Sequence, residues 1–175
     1  MKTILISIDY PIIQWISIFI RQNKNYRIVG MCIYKSEKKK IAFLENKYFK
    51  IYCFEEITEK INFKYKRSIK IDKRFMRANL SYADFLLANN YRDKFLKNKI
   101  AINIFQQKLN FFYKKIFLEK PKVIFHEHAG GLFTHGLEKI AKSKNIRYLL
   151  LKNYYFSGIV FFFDFFKKNI IKKDK

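Results

Sequence analysis

Apolar residues in this chain fall into short continuous runs separated by longer stretches in which they recur every three or four positions. Thr3–Ile8, Arg27–Tyr34, Lys50–Phe54, Val123–Phe125 and Arg147–Leu151 are the continuous runs. Their lack of alternation predicts strands buried on both faces, as in a parallel sheet covered by helices. Between the first two lies a helical stripe of Ile12, Ile13, Trp15, Ile16, Phe19 and Ile20, with Pro11 suited to its first turn and Asp9 or its neighbour placed to cap it. A second helix is predicted over Ile100–Leu118, where Phe105, Leu109, Phe112 and Ile116 share a face, and Pro121 ends it. A third covers Leu132–Lys144 through Leu132, Phe133, Leu137, Ile140 and Ala141, with Asn145 at the expected C-cap.

Other stretches carry weaker patterns. Lys35–Lys40 reads as a solvated loop, and Lys60–Lys73 as an exposed strand or an irregular loop. Phe75–Leu96 reads as mostly helical with a break at Asn89-Asn90, and Ile159–Phe163 as a further strand. Alternating strands and helices predict a three-layer, Rossmann-like α/β domain with a mainly parallel sheet over residues 1–166, followed by a basic tail, 167–175.

With 175 residues, half of them hydrophobic and 19% aromatic, the chain can bury a substantial core and is not of disordered composition. A formal charge of +23 points toward polyanions: nucleic acid, an acidic membrane surface or a phosphorylated ligand. The abundance of Lys, Asn, Ile, Phe and Tyr also matches codons rich in A and T, which shift composition whatever the partner. The basic runs Lys38–Lys40, Lys64–Lys73 and Lys167–Lys175 share no focus in sequence, and the chain favours Lys and places its aromatics in apolar runs. Nucleic acid is therefore the less favoured partner. Cys32 and Cys53 have neither CxxC nor metal-ligand spacing and read as buried, reduced core residues, in keeping with a cytoplasmic protein. Neither a cleavable leader nor an apolar run of membrane-spanning length is evident.

Chemistry-bearing residues gather in one place. All three histidines, His126, His128 and His135, lie with Glu127 and the Gly130-Gly131 pair between a predicted strand end and the next helix. In extended backbone His126 and His128 point to one side and Glu127 to the other. Three imidazoles could ligate a metal, but neither an acidic ligand pattern nor a Cys pair accompanies them, and no metal or cofactor is assigned. The adjacent glycines serve equally as a tight βα turn or as a cradle that offers backbone N–H groups to an anion; GxGxxG and GxxxxGK[ST] are both absent. Glu127, at a strand's carboxyl end, is the candidate base for a substrate hydroxyl, with His126, His128 and His135 orienting it or the substrate. A Glu capping the next helix or pairing with Lys fits the same position. Gly130, Gly131 and Asp9 are the candidate anion- or substrate-binding residues.

The order Lys-Pro-Lys-Val-Ile-Phe-His-Glu, a glycine turn, Gly-Leu-Glu-Lys-Ile-Ala-Lys-Ser-Lys-Asn-Ile, Arg-Tyr-Leu-Leu-Leu and Tyr-Phe-Ser-Gly-Ile-Val-Phe-Phe-Phe-Asp resembles the N-terminal part of bacterial capsular and surface-polysaccharide biosynthesis proteins. The similar region covers roughly Glu119 to Asp164. The resemblance implies the N-terminal, acceptor-side half of a GT-B-like glycosyltransferase, whose partners are a glycan acceptor and a nucleotide-sugar donor held mainly by a second domain. That second domain has no counterpart here, so the chain is expected to be truncated and inactive alone. Two other readings are a small basic nucleic-acid-binding α/β protein and a module peripheral to the inner face of the membrane, anchored by the aromatic and basic stretch Phe161–Lys175.

Overall fold

The computed structural model describes residues 1–8, 10–60, 72–81, 98–126, 132–154, 159–164 and 169–172. Their strands are β1 (Lys2–Ser7), β2 (Tyr26–Cys32), β3 (Phe49–Cys53), β4 (Val123–His126), β5 (Arg147–Tyr154), β6 (Ile159–Asp164) and β7 (Asn169–Lys172). The helices are α1 (Tyr10–Gln22), α2 (Lys35–Ile41), α3 (Phe54–Lys60), α4 (Lys73–Arg77), α5 (Asn98–Glu119) and α6 (Leu132–Ser143), with a 3-10 turn at Ala42–Leu44. One seven-stranded sheet has the order β3-β2-β1-β4-β5-β6-β7. The first five are parallel, and β6 and β7 join antiparallel. This is the three-layer, Rossmann-like α/β fold that the apolar runs predict.

Period-two alternation splits the core between the two faces. Leu5, Val29, Met31, Ile124 and Tyr148 pack with α4, α5 and α6 through Phe75, Leu109, Phe112, Leu137 and Ile140. Ile4, Ile6, Ile28, Phe49, Phe125 and Leu149 pack on the other face with Ile16 of α1 and Ile41 of α2. The Phe19 and Phe125 rings meet edge to face at 5.3 Å, which carries α1 over β4. Two glycines set close approaches. A Cβ on Gly30 would lie 2.4 Å from Ile8 Cδ1, and one on Gly136 would lie 2.8 Å from Leu109 Cδ2, so Gly136 lets α6 settle on α5.

Helix ends follow the chain chemistry. Asn145 has φ 53°, and the bonds Asn145 N–H to Lys142 O and Ile146 N–H to Ala141 O close α6 as a Schellman motif. Asn79, at φ 58°, closes α4 in the same way through Leu80 N–H to Phe75 O. Helix α4 therefore ends at Arg77, inside the stretch expected as mostly helical; the expected break at Asn89 and Asn90 lies outside the described residues, as does most of Lys60–Lys73. Lys35–Lys40 is helix α2, not a loop. The Glu37 carboxylate accepts from the backbone N–H of Tyr34 (3.0 Å) and Ile33 (3.2 Å), which supplies the entry cap, and Ile41 is buried at the other end. Phe54 opens α3 and is not the end of a strand. Within the stretch expected as a basic tail, Asn169–Lys172 forms β7 beside β6.

At the edge of the sheet, β3 is covered by its own approach loop. Ile51 N–H donates to Glu45 Oε1 (2.8 Å) and Phe49 N–H to Asn46 Oδ1 (3.1 Å), while Asn46 N–H donates to Phe49 O (3.0 Å). Glu119, the last residue of α5, reaches across β1 to bind Arg27 (3.0 Å) of β2 and accept from the Tyr52 hydroxyl (3.3 Å) of β3. Burial and the Glu119 carboxylate push the Tyr52 hydroxyl pKa up. Cys32 and Cys53 are buried, free, and register partners in neighbouring strands.

Candidate functional site

The strand order 3-2-1-4-5 reverses direction between β1 and β4, and ligands of open α/β sheets gather outside the carboxyl ends of the strands at that switch point. Register pairs Ile4 with Val123 and Ile6 with Phe125. The next residues along each strand are Ser7 and His126, after which come Ile8 and then Asp9 on one side and Glu127 on the other. Topology thus brings together the strand ends carrying two sequence-predicted sets, Asp9 and the 126–131 stretch. Asp9, Glu127, His128, Gly130 and Gly131 themselves lie outside the described residues.

Two helices begin at this edge. α1 starts at Tyr10 after β1, and α6 at Leu132 after β4. They cover opposite faces of the sheet, so the crevice lies between two N-terminal helix ends, each with a positive dipole end and N–H groups that no helical carbonyl takes up.

Of the described candidates, His126 is 4% exposed. It alternates with Phe125 and so shares the α5–α6 side of the sheet with Ile124. Ser7 takes the same side of β1, following Leu5, and is buried too. Lys108 of α5, also on this side, is only 4% exposed. Its ammonium lies 5.8 Å from the centroid of the Tyr34 ring, within cation–π range, and Tyr34 stands just beyond the carboxyl end of β2. A cation, an imidazole and a hydroxyl are thus buried on one side of the sheet toward one edge, where lysine burial is rare without a reason.

His135 is placed differently. It lies on the first turns of α6, 45% exposed, with Nδ1 3.9 Å from Glu138 on its own helix. The structure therefore separates His126, at the strand end, from His135, on the helix surface. Among the described residues no three His, Cys, Asp or Glu side chains gather to hold a metal ion.

No family model matches the chain, and no curated protein matches it.

The β2 side of the edge is held by carboxylates. Besides the Glu37 cap, Glu55 accepts from Lys35 N–H (2.7 Å) and Glu56 from Lys38 Nζ (2.8 Å), tying α2 to the first turn of α3. The hydrogen bond to Glu56 raises the Lys38 pKa. These contacts fix the loop that presents Tyr34 to Lys108. Chemically, the two helix ends that meet at the crevice can favour an anion. Ser7 and Lys108 escaped the sequence reading. Lys108 carried a signal: it interrupts the stripe of Phe105, Leu109 and Phe112, three residues after one and four before another, a buried position occupied by a charge.

Proposed function

We propose that this chain is the acceptor-side domain of a glycosyltransferase-like protein of surface polysaccharide biosynthesis. The observation supporting this reading is the switch point: the stretch resembling polysaccharide biosynthesis proteins supplies β4, α6 and β5, and its histidine-bearing strand end adjoins the carboxyl end of β1. In this reading the Glu127 carboxylate takes the proton of an acceptor hydroxyl. The hydroxyl oxygen forms its bond to the anomeric carbon of the donor sugar as the bond from that carbon to the nucleotide phosphate breaks, and the phosphate leaves with the electron pair. The two helix ends favour the negative charge that bound phosphate brings to the crevice. In this reading the described sheet is the acceptor-side wall of a two-walled GT-B cleft, and the donor is held mainly by the other wall.

The test is made in the producing cell. Deleting the chain should abolish surface polysaccharide, and restoring it with Glu127→Gln should leave synthesis lowered about 10²–10⁴-fold, the usual contribution of general-base help. Unchanged polysaccharide on deletion refutes the pathway. Loss on deletion with full restoration by folded Glu127→Gln refutes only the role of the carboxylate.

A further inference from the structure

The opposite edge of the sheet, where the parallel strands begin and the helices end, gathers cations that are scattered in the sequence. Lys2 opens β1, Arg21 is in the last turn of α1, Lys24 lies in the turn from α1 to β2, and Lys47 precedes β3; all are exposed. Exposed Lys120, Lys122 and Lys144 complete the row where α5 and α6 lead into β4 and β5. The carboxylates in these described connections are Glu45 and Glu119, and both are engaged, with Ile51 N–H and with Arg27.

Large apolar side chains stand exposed along the same edge. Phe117 and Leu118, consecutive in the last turn of α5, are 64% and 69% exposed; Met1, Phe43 and Tyr48 join them from β1's start and the loop before β3. Beside Phe117 a groove of about 300 Å³ runs between the ends of α5 and α6, floored by Ile116 and Ile146 and rimmed by Lys120, Lys122 and Lys144.

We propose that this edge docks on an anionic lipid bilayer, with Phe117 and Leu118 entering the interface and the lysine-rimmed groove taking a lipid headgroup. Lysine stems lie along apolar surface while their ammonium groups reach phosphate, so the mixture of Lys with exposed apolar groups matches the headgroup boundary. Charge complementarity selects the anionic lipid. The apolar set is partly aliphatic, and Leu118 and Met1 offer no ring for a base to stack on; hydrocarbon accepts both kinds. This surface is distinct from the switch point, which lies at the other end of the strands.

The experiment sediments the chain Met1–Lys175 with vesicles of phosphatidylcholine, with and without phosphatidylglycerol. Binding is expected only with phosphatidylglycerol, and it should weaken with salt. Replacing Lys120, Lys122 and Lys144 together by Gln should lower partitioning about a hundredfold. Phe117→Ser with Leu118→Ser should lower it about tenfold. A control of equal charge change, Lys35→Gln, Lys73→Gln and Arg77→Gln, should lower it about threefold or less. None of the substituted side chains belongs to the core, so melting curves should match the parent. An equal loss in the control, no loss in the edge variants, or binding to single-stranded oligouridylate with none to vesicles would each overturn the proposal.

Discussion

Gly30→Ala is expected to destabilise the chain through one contact, and removing that contact should restore it. Gly30 lies inside β2, where no special backbone conformation is needed, so alanine by itself would gain about 0.5–1 kcal/mol from reduced backbone freedom. The new methyl would stand 2.4 Å from Ile8 Cδ1 and 3.1 Å from the Phe49 ring. Both neighbours are buried, Ile8 at 2% exposure and Phe49 at 0%, so Ile8 has little open space into which to swing. Overpacking of this kind costs about 1–3 kcal/mol, which leaves a net loss of about 0–2.5 kcal/mol, centred near 1. Ile8→Val deletes the colliding carbon and alone costs about 0.5–1.5 kcal/mol. The double variant should be no less stable than Ile8→Val, a favourable coupling on the order of 1 kcal/mol. Urea unfolding of the four chains measures this cycle. Additive losses would show that Ile8 is not the obstacle, and rescue by Phe49→Leu in its place would move the collision to the ring.

The remaining expectations are shorter. Asn145→Ala should cost about 1–2 kcal/mol in the same unfolding assay because the position requires φ 53°, whereas Asn145→Gly should be close to neutral. Burial, reinforced by the neighbouring Cys53, pushes the Cys32 thiol pKa up, so the folded chain keeps a proton that the unfolded thiol loses above pH about 8.5. The folded state then binds more protons in that alkaline window, and stability should fall there by about 1.4 kcal/mol per pH unit. It should be unaffected by this group below the window, and Cys32→Ala should flatten the alkaline slope.

The strands were legible because a segment buried on both faces has to be continuously apolar: Thr3–Ile8 and Arg27–Tyr34 differ from β1 and β2 by no more than two residues at either end. Asn145 was legible for a similar local reason, since asparagine tolerates the left-handed turn that ends α6. α2 was not, because its polar run Lys35–Lys40 has a single buried anchor, Ile41, and takes its cap from Glu37. The helix end at Asn79 was not legible either, since it is fixed by the burial of Leu80 and Phe75 in the core and the bond from Leu80 N–H to Phe75 O. β7 has two apolar residues, Ile170 and Ile171, among lysines, and its pairing with β6 is a tertiary fact. The same holds for the site. The sequence placed His126 and Asp9 far apart, and only the crossover that sets β1 beside β4 makes their strand ends neighbours. Seven exposed cations likewise share an edge because helices run back against the strands, which no inspection of charge runs along the chain reveals.

The loop that covers β3 bears on how the chain behaves in a crowded solution. A terminal strand in a sheet is a template on which another molecule can grow, and it is dangerous in proportion to the free donors and acceptors along it. Here Glu45 and Asn46 already occupy the outward N–H groups of Phe49 and Ile51 and the outward carbonyl of Phe49. Lys50 stands exposed between them, so a foreign strand would have to displace a carboxylate and bring its backbone up to a charge. For a chain so rich in isoleucine and phenylalanine, that short polar loop is a guard against fibre-like association.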